Sequence, residues 1–385
     1  MLSQPASAAT PDPRPSLSTA AEPSVGSTPP LFSVGQPEAE RAWEHQAPEL
    51  SNHPQRLLID RSIATLMRIA DSGADGEDWG LISGTLQDIQ QALQMFEQHR
   101  RTRKVTVFGS ARTAPGTPCY RLSEELAGRA IAAGFDVITG AGAGVMEAAN
   151  RGAGSEHGFG LNVQLPFEQQ PNPYIAGRSD RLVDFRYFFT RKLFFLRECD
   201  ALVVLPGGFG TLDELFESLT LIQTGRIAPI PVVLLAPPGD PFWANWRHTL
   251  RHDLIDRGLV SEADAALFCD ASSAAEAMAQ ICRFYRVFHT ARLVNDRLEL
   301  LLHAPLTPAQ LAMLNQRFAD LLNSGQIEHD EVCDLSDQLR PSLRFDFNDR
   351  KVGRLYQLIE HLNGLDIQGA PEPHHPEQRR CTFTS

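Results

Sequence analysis

The sequence predicts an α/β protein: a Rossmann-like, doubly wound parallel sheet, preceded by helices and followed by a small α+β appendage. Runs such as KVTVF, FDVIT, ALVVL and IPVVLLA are apolar almost throughout and alternate with helix-like segments. Strands that lack a polar alternate are buried on both faces, which is the environment of a parallel sheet covered by helices. Three of the strand ends carry glycine: Gly109, then Gly140, Gly142 and Gly144, then Gly207, Gly208 and Gly210. In such sheets ligands gather beyond the carboxyl ends of the strands, so these glycines mark one candidate site.

Residues 1–45 are rich in Pro, Ser and Ala. They hold too little large apolar surface to offset the entropy of ordering, so a disordered tail is expected. In the stretch 46–103, RLLIDRSIATLMRIA and WGLISGTLQDIQQALQMFEQHR place apolar residues three and four apart, the spacing of amphipathic helices. A nucleotide-binding catalytic domain is expected over 104–290. KVTVFGSA opens it as a strand, YRLSEELAGRAIAAG follows as a helix, and FDVITGAGAG is a second strand with its own glycine turn. The alternation continues through VMEAANRGA, FGLNVQL, FFTRKLFFLRE, ALVVLPGG, TLDELFESLTLIQTG and IPVVLLA. The appendage, 291–365, reads as strand, helix, strand, helix in DRLELLLHA, TPAQLAMLNQRFADLLNSG, SLRFDFN and RKVGRLYQLIEHLNGL. Residues 366–385, with PEPHHPEQRR, read as a second loose tail.

Charge and composition narrow the function. A formal net charge of −12 argues against a protein held mainly to nucleic acid or anionic lipid, both of which call for excess Lys and Arg. The 6 cysteines are scattered with no CxxC pair, so reduced thiols in a cytoplasm are expected, with neither a disulfide framework nor a thiolate metal site. The 12 histidines form no HExxH or similar spacing, and no catalytic metal or other cofactor is expected. No signal peptide and no membrane-spanning run is evident.

LPGGFGTLDELFE, at 205–217, leaves a buried strand through Pro and two glycines and enters a helix. Glycine turns sharply and lets main-chain amides approach an anion, and the unpaired amides and dipole of a helix start favour phosphate. Gly207, Gly208, Gly210 and Thr211 would supply those amides, with Thr211 as a cap or first-turn hydroxyl. The plainer reading is a tight strand-to-helix turn whose dipole is compensated by Asp213 and Glu214. Glu214 separates the two, because a carboxylate one turn inside the helix repels the anion its amides attract. A sugar phosphate satisfies both features: the amides take the phosphate, while the carboxylate takes ribose hydroxyls and stabilises a cationic sugar transition state. Glu217, three residues on, reads as a solvated helix charge.

PGGFGTLDE also fits the PGGxGTxxE signature of the LONELY GUY family, the cytokinin-activating phosphoribohydrolases often mislabelled lysine decarboxylases. TRKLFF resembles that family's arginine-lysine helix, VFGSA its first strand and Gly-Ser turn, and TGAGAGVMEAANRGA the second glycine loop of its longer bacterial members. The resemblance runs from about Lys104 to Phe288, roughly half the chain. It implies hydrolysis of the N-glycosidic bond of a purine-type nucleoside 5′-monophosphate, AMP or a cytokinin riboside monophosphate, to free base and ribose 5-phosphate. It implies Arg191 and Glu214 as catalytic residues. Gly109, Ser110, Gly140, Gly142, Gly144, Met146, Lys192, Gly207, Gly208, Gly210 and Thr211 are implied to bind substrate. For Lys192, contact with phosphate and pairing with an acid both stay open. A homodimer or higher oligomer is implied, with a neighbouring subunit completing the base pocket.

Two departures qualify the resemblance. Ala141 stands where many relatives have a third glycine, and its methyl is expected to narrow the approach to ligand. Around Glu147 the chain follows the longer bacterial members, so cytokinin specificity does not carry over directly. The alternative function is a carrier that binds a nucleotide or the molybdenum cofactor without turnover. Hydride transfer fits less well because VFGSART lacks GxGxxG spacing, and no local context singles out a lysine for the pyridoxal phosphate of a lysine decarboxylase.

Overall fold

The computed structural model describes residues 52–164, 170–334 and 337–370. The tail expected at 1–45, and residues 371–385 of the second, lie outside the described residues. The chain divides after Asp75 into two units, so the boundary falls inside the expected helical preface. In the first unit, helix α1 (Arg56–Asp71) carries an Arg56–Asp60 ion pair one turn apart.

The second unit opens with α2 (Gly76–Glu97), whose first-turn acids Glu77 and Asp78 suit the helix dipole. Its buried residues Gly84, Asp88, Ala92, Met95 and Phe96 recur at helical spacing and form one stripe. Seven strands follow: β1 (Lys104–Phe108), β2 (Asp136–Thr139), β3 (Gly158–Val163), β4 (Leu182–Phe185), β5 (Ala201–Val204), β6 (Val232–Leu235) and β7 (Cys269–Ala271). They form a single sheet in the order β4-β3-β2-β1-β5-β6-β7, parallel at every pairing. Successive strand residues feed opposite cores, as a period of two requires. Val105 and Val107 pack with α3 (Pro118–Ala132), α4 (Val145–Ala153) and α8 (Ala274–Phe284). Phe108, Leu202 and Val204 face the other side, toward α2, α5 (Phe188–Arg197), α6 (Phe209–Gln223) and α7 (Phe242–Thr249). Among the described residues no helix is long and apolar enough to cross a membrane.

The strand order reverses about β1. The next strand in sequence lies on one side of it, and β5 lies on the other. That switch point opens a crevice above the carboxyl ends of β1 and β5, where the Gly109 and Gly207 turns sit.

The C-terminal part differs from the expected strand–helix–strand–helix. It is a four-stranded antiparallel sheet, β10-β11-β9-β8, of β8 (Phe288–Val294), β9 (Arg297–Leu302), β10 (Leu322–Cys333) and β11 (Leu339–Phe347), with α9 (Pro308–Arg317) and α10 (Val352–Gly364). Two strands were missed for identifiable reasons. β8 and β9 form a hairpin whose two-residue loop, Asn295-Asp296, has positive φ at both positions, the geometry of a type I′ turn. The helix expected through Gly325 stops at Arg317, because Phe318 and Leu321 are buried through a 3-10 turn that redirects the chain into β10. The boundary expected at 290/291 falls inside β8.

α10 also belongs to the parallel-sheet core, to which it contributes Val352 and Tyr356. The Tyr356 hydroxyl donates to the Ile230 carbonyl at 2.8 Å and accepts from the Ile230 amide at 3.0 Å, tying the last helix to the segment leading into β6. Replacing this hydroxyl leaves two buried main-chain groups without their partner. Tyr356→Phe is therefore expected to destabilise the protein by about 1–3 kcal/mol. Urea unfolding measures this, and an unchanged midpoint would show that the tie contributes nothing to docking of α10.

Candidate active site

The crevice at the switch point holds a cavity of about 800 Å3. The Gly109–Ser110 turn lies at its floor. The Ser110 amide donates to the Pro206 carbonyl at 3.3 Å, and its own carbonyl accepts from the Val145 amide at 3.1 Å, so one short turn ties together all three glycine loops. Gly144 must be glycine here: its φ is +68°, and an added Cβ would lie 2.4 Å from the Ser110 carbonyl oxygen.

Arg191 enters from α5. Its Nε donates to the Leu161 carbonyl at 2.7 Å and its Nη2 to the Gly140 carbonyl at 3.2 Å, while the guanidinium lies over the Phe195 ring, 5.0 Å from its centroid. Gly140 is the space this requires, since a Cβ there would fall 2.3 Å from Arg191 Nη2 and 2.8 Å from Met146 Sδ. Burial pushes the guanidinium down to about 10, opposed by the charge of Glu214, so Arg191 stays a cation at neutral pH.

Glu214 enters from the second turn of α6, beyond the first-turn amides of Phe209, Gly210 and Thr211. Among the described residues no hydrogen bond or ion pair holds its carboxylate, which lines the cavity. Burial raises its pKa to about 7; Lys192 and then Arg191 oppose that shift, and Glu217 and Asp213 reinforce it. A buried carboxyl poised near neutrality beside a fixed cation is able to exchange a proton and to stabilise positive charge.

The structure divides the sequence-predicted residues. Gly109, Ser110, Gly140 and Met146 line the cavity together with Arg191 and Glu214. So do Gly208, Gly210 and Thr211, and a Cβ at Gly208 or Gly210 would meet nothing within 4 Å. Thr211 sits inside the first turn and does not cap the helix through its side chain; Gly208 is the N-cap. Gly142, Gly144 and Gly207 do not line the cavity. Gly207 instead accommodates Thr211, whose Oγ1 would lie 2.2 Å from an added Cβ.

Lys192 does not line it either. Its ammonium pairs with Asp213 at 2.7 Å and Glu217 at 2.8 Å, and it borders a separate cavity on the other side of α5. The acid-pairing alternative is the one realised, and Glu217 is correspondingly a half-buried partner of Lys192 where a solvated charge was expected. Ala141 also departs from expectation. It is buried with φ +60°, its methyl sits against Gly160 in the sheet, and it leaves the cavity unnarrowed. Asn172 secures this loop, donating from Nδ2 to the carbonyls of Ala141 and Gly142, both at 3.1 Å.

Arg112, Phe188 and Phe209 also line the cavity and were not anticipated. Arg112 was legible from its place two residues after the first Gly-Ser turn. The two phenylalanines were not: Phe188, in an FF pair on a helix, reads as core yet is half exposed, and Phe209, between two glycines of the loop, is 94% exposed. Among the described residues no group of three or more His, Cys, Asp or Glu side chains is placed to hold a metal.

A parallel α/β sheet with a glycine-lined crevice, a helix start, and a carboxylate and a guanidinium at its switch point has the architecture of Rossmann-like proteins. Comparison with known proteins narrows this. Residues 144–281 match a family model described as possible lysine decarboxylase. A cytokinin riboside 5′-monophosphate phosphoribohydrolase of Arabidopsis thaliana is 26% identical over 216 residues, 55% of this chain and 96% of the relative. A probable enzyme of the same description from Oryza sativa subsp. japonica is 28% identical over 188 residues, 48% of this chain and 86% of the relative. Over about half its length the chain is thus similar to cytokinin riboside 5′-monophosphate phosphoribohydrolases. Among solved structures, the molybdenum cofactor carrier protein of Chlamydomonas reinhardtii is 23% identical with a TM-score of 0.32, covering 46% of this chain and 95% of its own. The molybdenum cofactor binding protein of Rippkaea orientalis is 19% identical with a TM-score of 0.34, covering 46% and 93%.

The raised Glu214 pKa has a consequence for stability. Below pH 4.5 the carboxyl is neutral in both folded and unfolded chains and its burial costs no charge; as pH rises through about 7 the folded protein must hold a buried carboxylate. Glu214→Gln is therefore expected to stabilise the fold by about 3 kcal/mol at pH 8 and by little at pH 4. Urea unfolding at the two pH values tests this; a gain independent of pH would contradict the shifted ionisation.

Proposed function

We propose that this protein hydrolyses the N-glycosidic bond of a purine-type nucleoside 5′-monophosphate, AMP or a cytokinin riboside monophosphate, giving free base and ribose 5-phosphate. The observation that carries this reading is the unpartnered Glu214 carboxylate facing Arg191 inside a cavity that opens at a helix start. The similarity to phosphoribohydrolases supports it.

The main-chain amides of Gly210 and Thr211 receive the 5′-phosphate at the positive end of α6. Ribose then extends toward Glu214. As the bond from the anomeric carbon to the base nitrogen breaks, its electron pair leaves with the base and positive charge develops on the sugar, which the carboxylate stabilises. Water adds to the anomeric carbon and gives its proton to Glu214, while the base nitrogen takes up a proton from solvent. Arg191, charged throughout and held by two carbonyls, orients the substrate beside that carboxylate.

One experiment separates hydrolysis from carriage: adenine release and binding calorimetry with AMP and adenosine on the wild type, Glu214→Gln and Arg191→Ala. AMP is expected to be cleaved and adenosine not. Each substitution is expected to lower turnover by about 10²-fold or more. Glu214→Gln should retain AMP affinity, since the amide cradle is intact. AMP binding without adenine release by the wild type would favour a carrier, and near-normal turnover by Glu214→Gln would overturn the mechanism.

We also propose that the protein acts as at least a homodimer. Phe188 and Phe209 are exposed at the cavity, and Phe189 and Leu193 on α5 and Phe216 on α6 are exposed as well, apolar surface that a second copy would cover while closing the base pocket. Light scattering is expected to give at least twice the mass of one chain, and an active monomer would exclude this arrangement.

A further inference from the structure

We propose that Asp88, on α2 and outside the family-matched residues 144–281, is a positioning residue for Arg191; the inference rests on the hydrolase reading of the site. α5 needs help at its start. Its N-cap, Tyr187, makes no side-chain cap hydrogen bond, so the helix's first turn lacks the local acceptor that Ser, Thr, Asp or Asn would provide.

Asp88, from another helix, fastens the start in a different way: it takes the amides of the two residues that lead into the helix and the hydroxyl of Thr190 in its first turn. Its two carboxylate oxygens each lie 3.1 Å from the Arg186 amide, Oδ2 accepts the Tyr187 amide at 3.2 Å, and the Thr190 hydroxyl donates to Oδ2 at 2.5 Å. The carboxylate is almost fully buried, and its charge lies at the positive end of the α5 dipole. Gly84, one turn earlier on α2, allows this approach: a Cβ there would lie 2.9 Å from both Arg186 Nη1 and the Tyr187 ring.

The turn anchored in this way is the one that carries Arg191. Arg191 follows Thr190 directly, and its amide bonds to the Tyr187 carbonyl at 3.2 Å. The guanidinium is fixed at its far end by the Leu161 and Gly140 carbonyls. Asp88 thus sets the near end of a side chain whose far end is tied to the sheet. A helix start that shifts by about 1 Å cannot satisfy both ends, and a displacement of that size at a reacting group costs up to about 10²-fold in rate.

A double-mutant cycle tests this by measuring kcat and KM for AMP hydrolysis in the wild type, Asp88→Asn, Arg191→Ala and the double variant. Asp88→Asn keeps the size and one acceptor. It is expected to lower kcat about 10-fold with KM within about twofold, and to change kcat less than about twofold once Arg191 is gone. Asp88→Glu, which restores the charge, is expected to recover part of the loss. An equal fall in both backgrounds, or a change in KM alone, would overturn the proposal. If the wild type releases no adenine, the hydrolase reading fails by itself and the same cycle is read as AMP affinity by calorimetry. A loss confined to the background that retains Arg191 supports Asp88, and an equal loss in both overturns it.

Discussion

The arrangement of the site depends on one buried cation. Arg191 is charged, largely removed from water, and held by two main-chain carbonyls, that of Gly140 just past β2 and that of Leu161 in β3, beyond the reach of β2's last paired residue. A guanidinium in such a place needs acceptors, and the ends of parallel strands offer carbonyls that have run out of sheet partners. The rest follows from that hold. Position 140 can carry no side chain, the ring of Phe195 forms one wall for the cation, and α5 must begin where the arginine reaches both oxygens.

The acids of α6 are arranged by a related economy. Asp213, Glu214 and Glu217 lie within little more than one turn, and their mutual repulsion would be unfavourable if all faced the cavity. Lys192 from α5 engages the outer two at 2.7 and 2.8 Å and leaves the middle one open to the cavity. The same pair of contacts therefore fastens α5 to α6 and keeps Glu214 both unpaired and under the influence of two cations. A lysine that looks like a ligand by its place beside the arginine acts here by neutralising neighbours.

How much of this the sequence revealed follows from the range of the interactions. Wholly apolar strands and glycine at strand ends are local signals, and they disclosed the parallel sheet and the crevice; Glu214 was marked by its place one turn inside a helix start, and Arg191 only by the family resemblance of TRKLFF. The short strands β4 and β7 were hidden because β4 has one exposed and one half-buried residue and β7 spans only three residues. Asp88 was invisible for another reason: its partners are about a hundred positions away, and a lone acid on an amphipathic helix reads as surface. Lys192 was left open and Ala141 was misjudged because a side chain's direction from a helix or a left-handed turn is decided by what packs behind it, which spacing does not encode.

The two faces of the parallel sheet are completed by parts of the chain made at very different times. The core against α3, α4 and α8 has all its buried residues once Cys282 has been synthesised. The opposite core waits for Val352 and Tyr356 on the last described helix, even though its first contributors, on α2, are among the earliest made. A ribosome making this protein from its amino end therefore carries, through synthesis of the entire antiparallel sheet, a domain closed on one side and open on the other. Trp243, Leu250 and Phe268 belong to the side still lacking its final cover. Such a half-closed sheet is open to wrong apolar partners, so the rate of elongation between Cys282 and Tyr356 becomes a determinant of how much chain folds correctly.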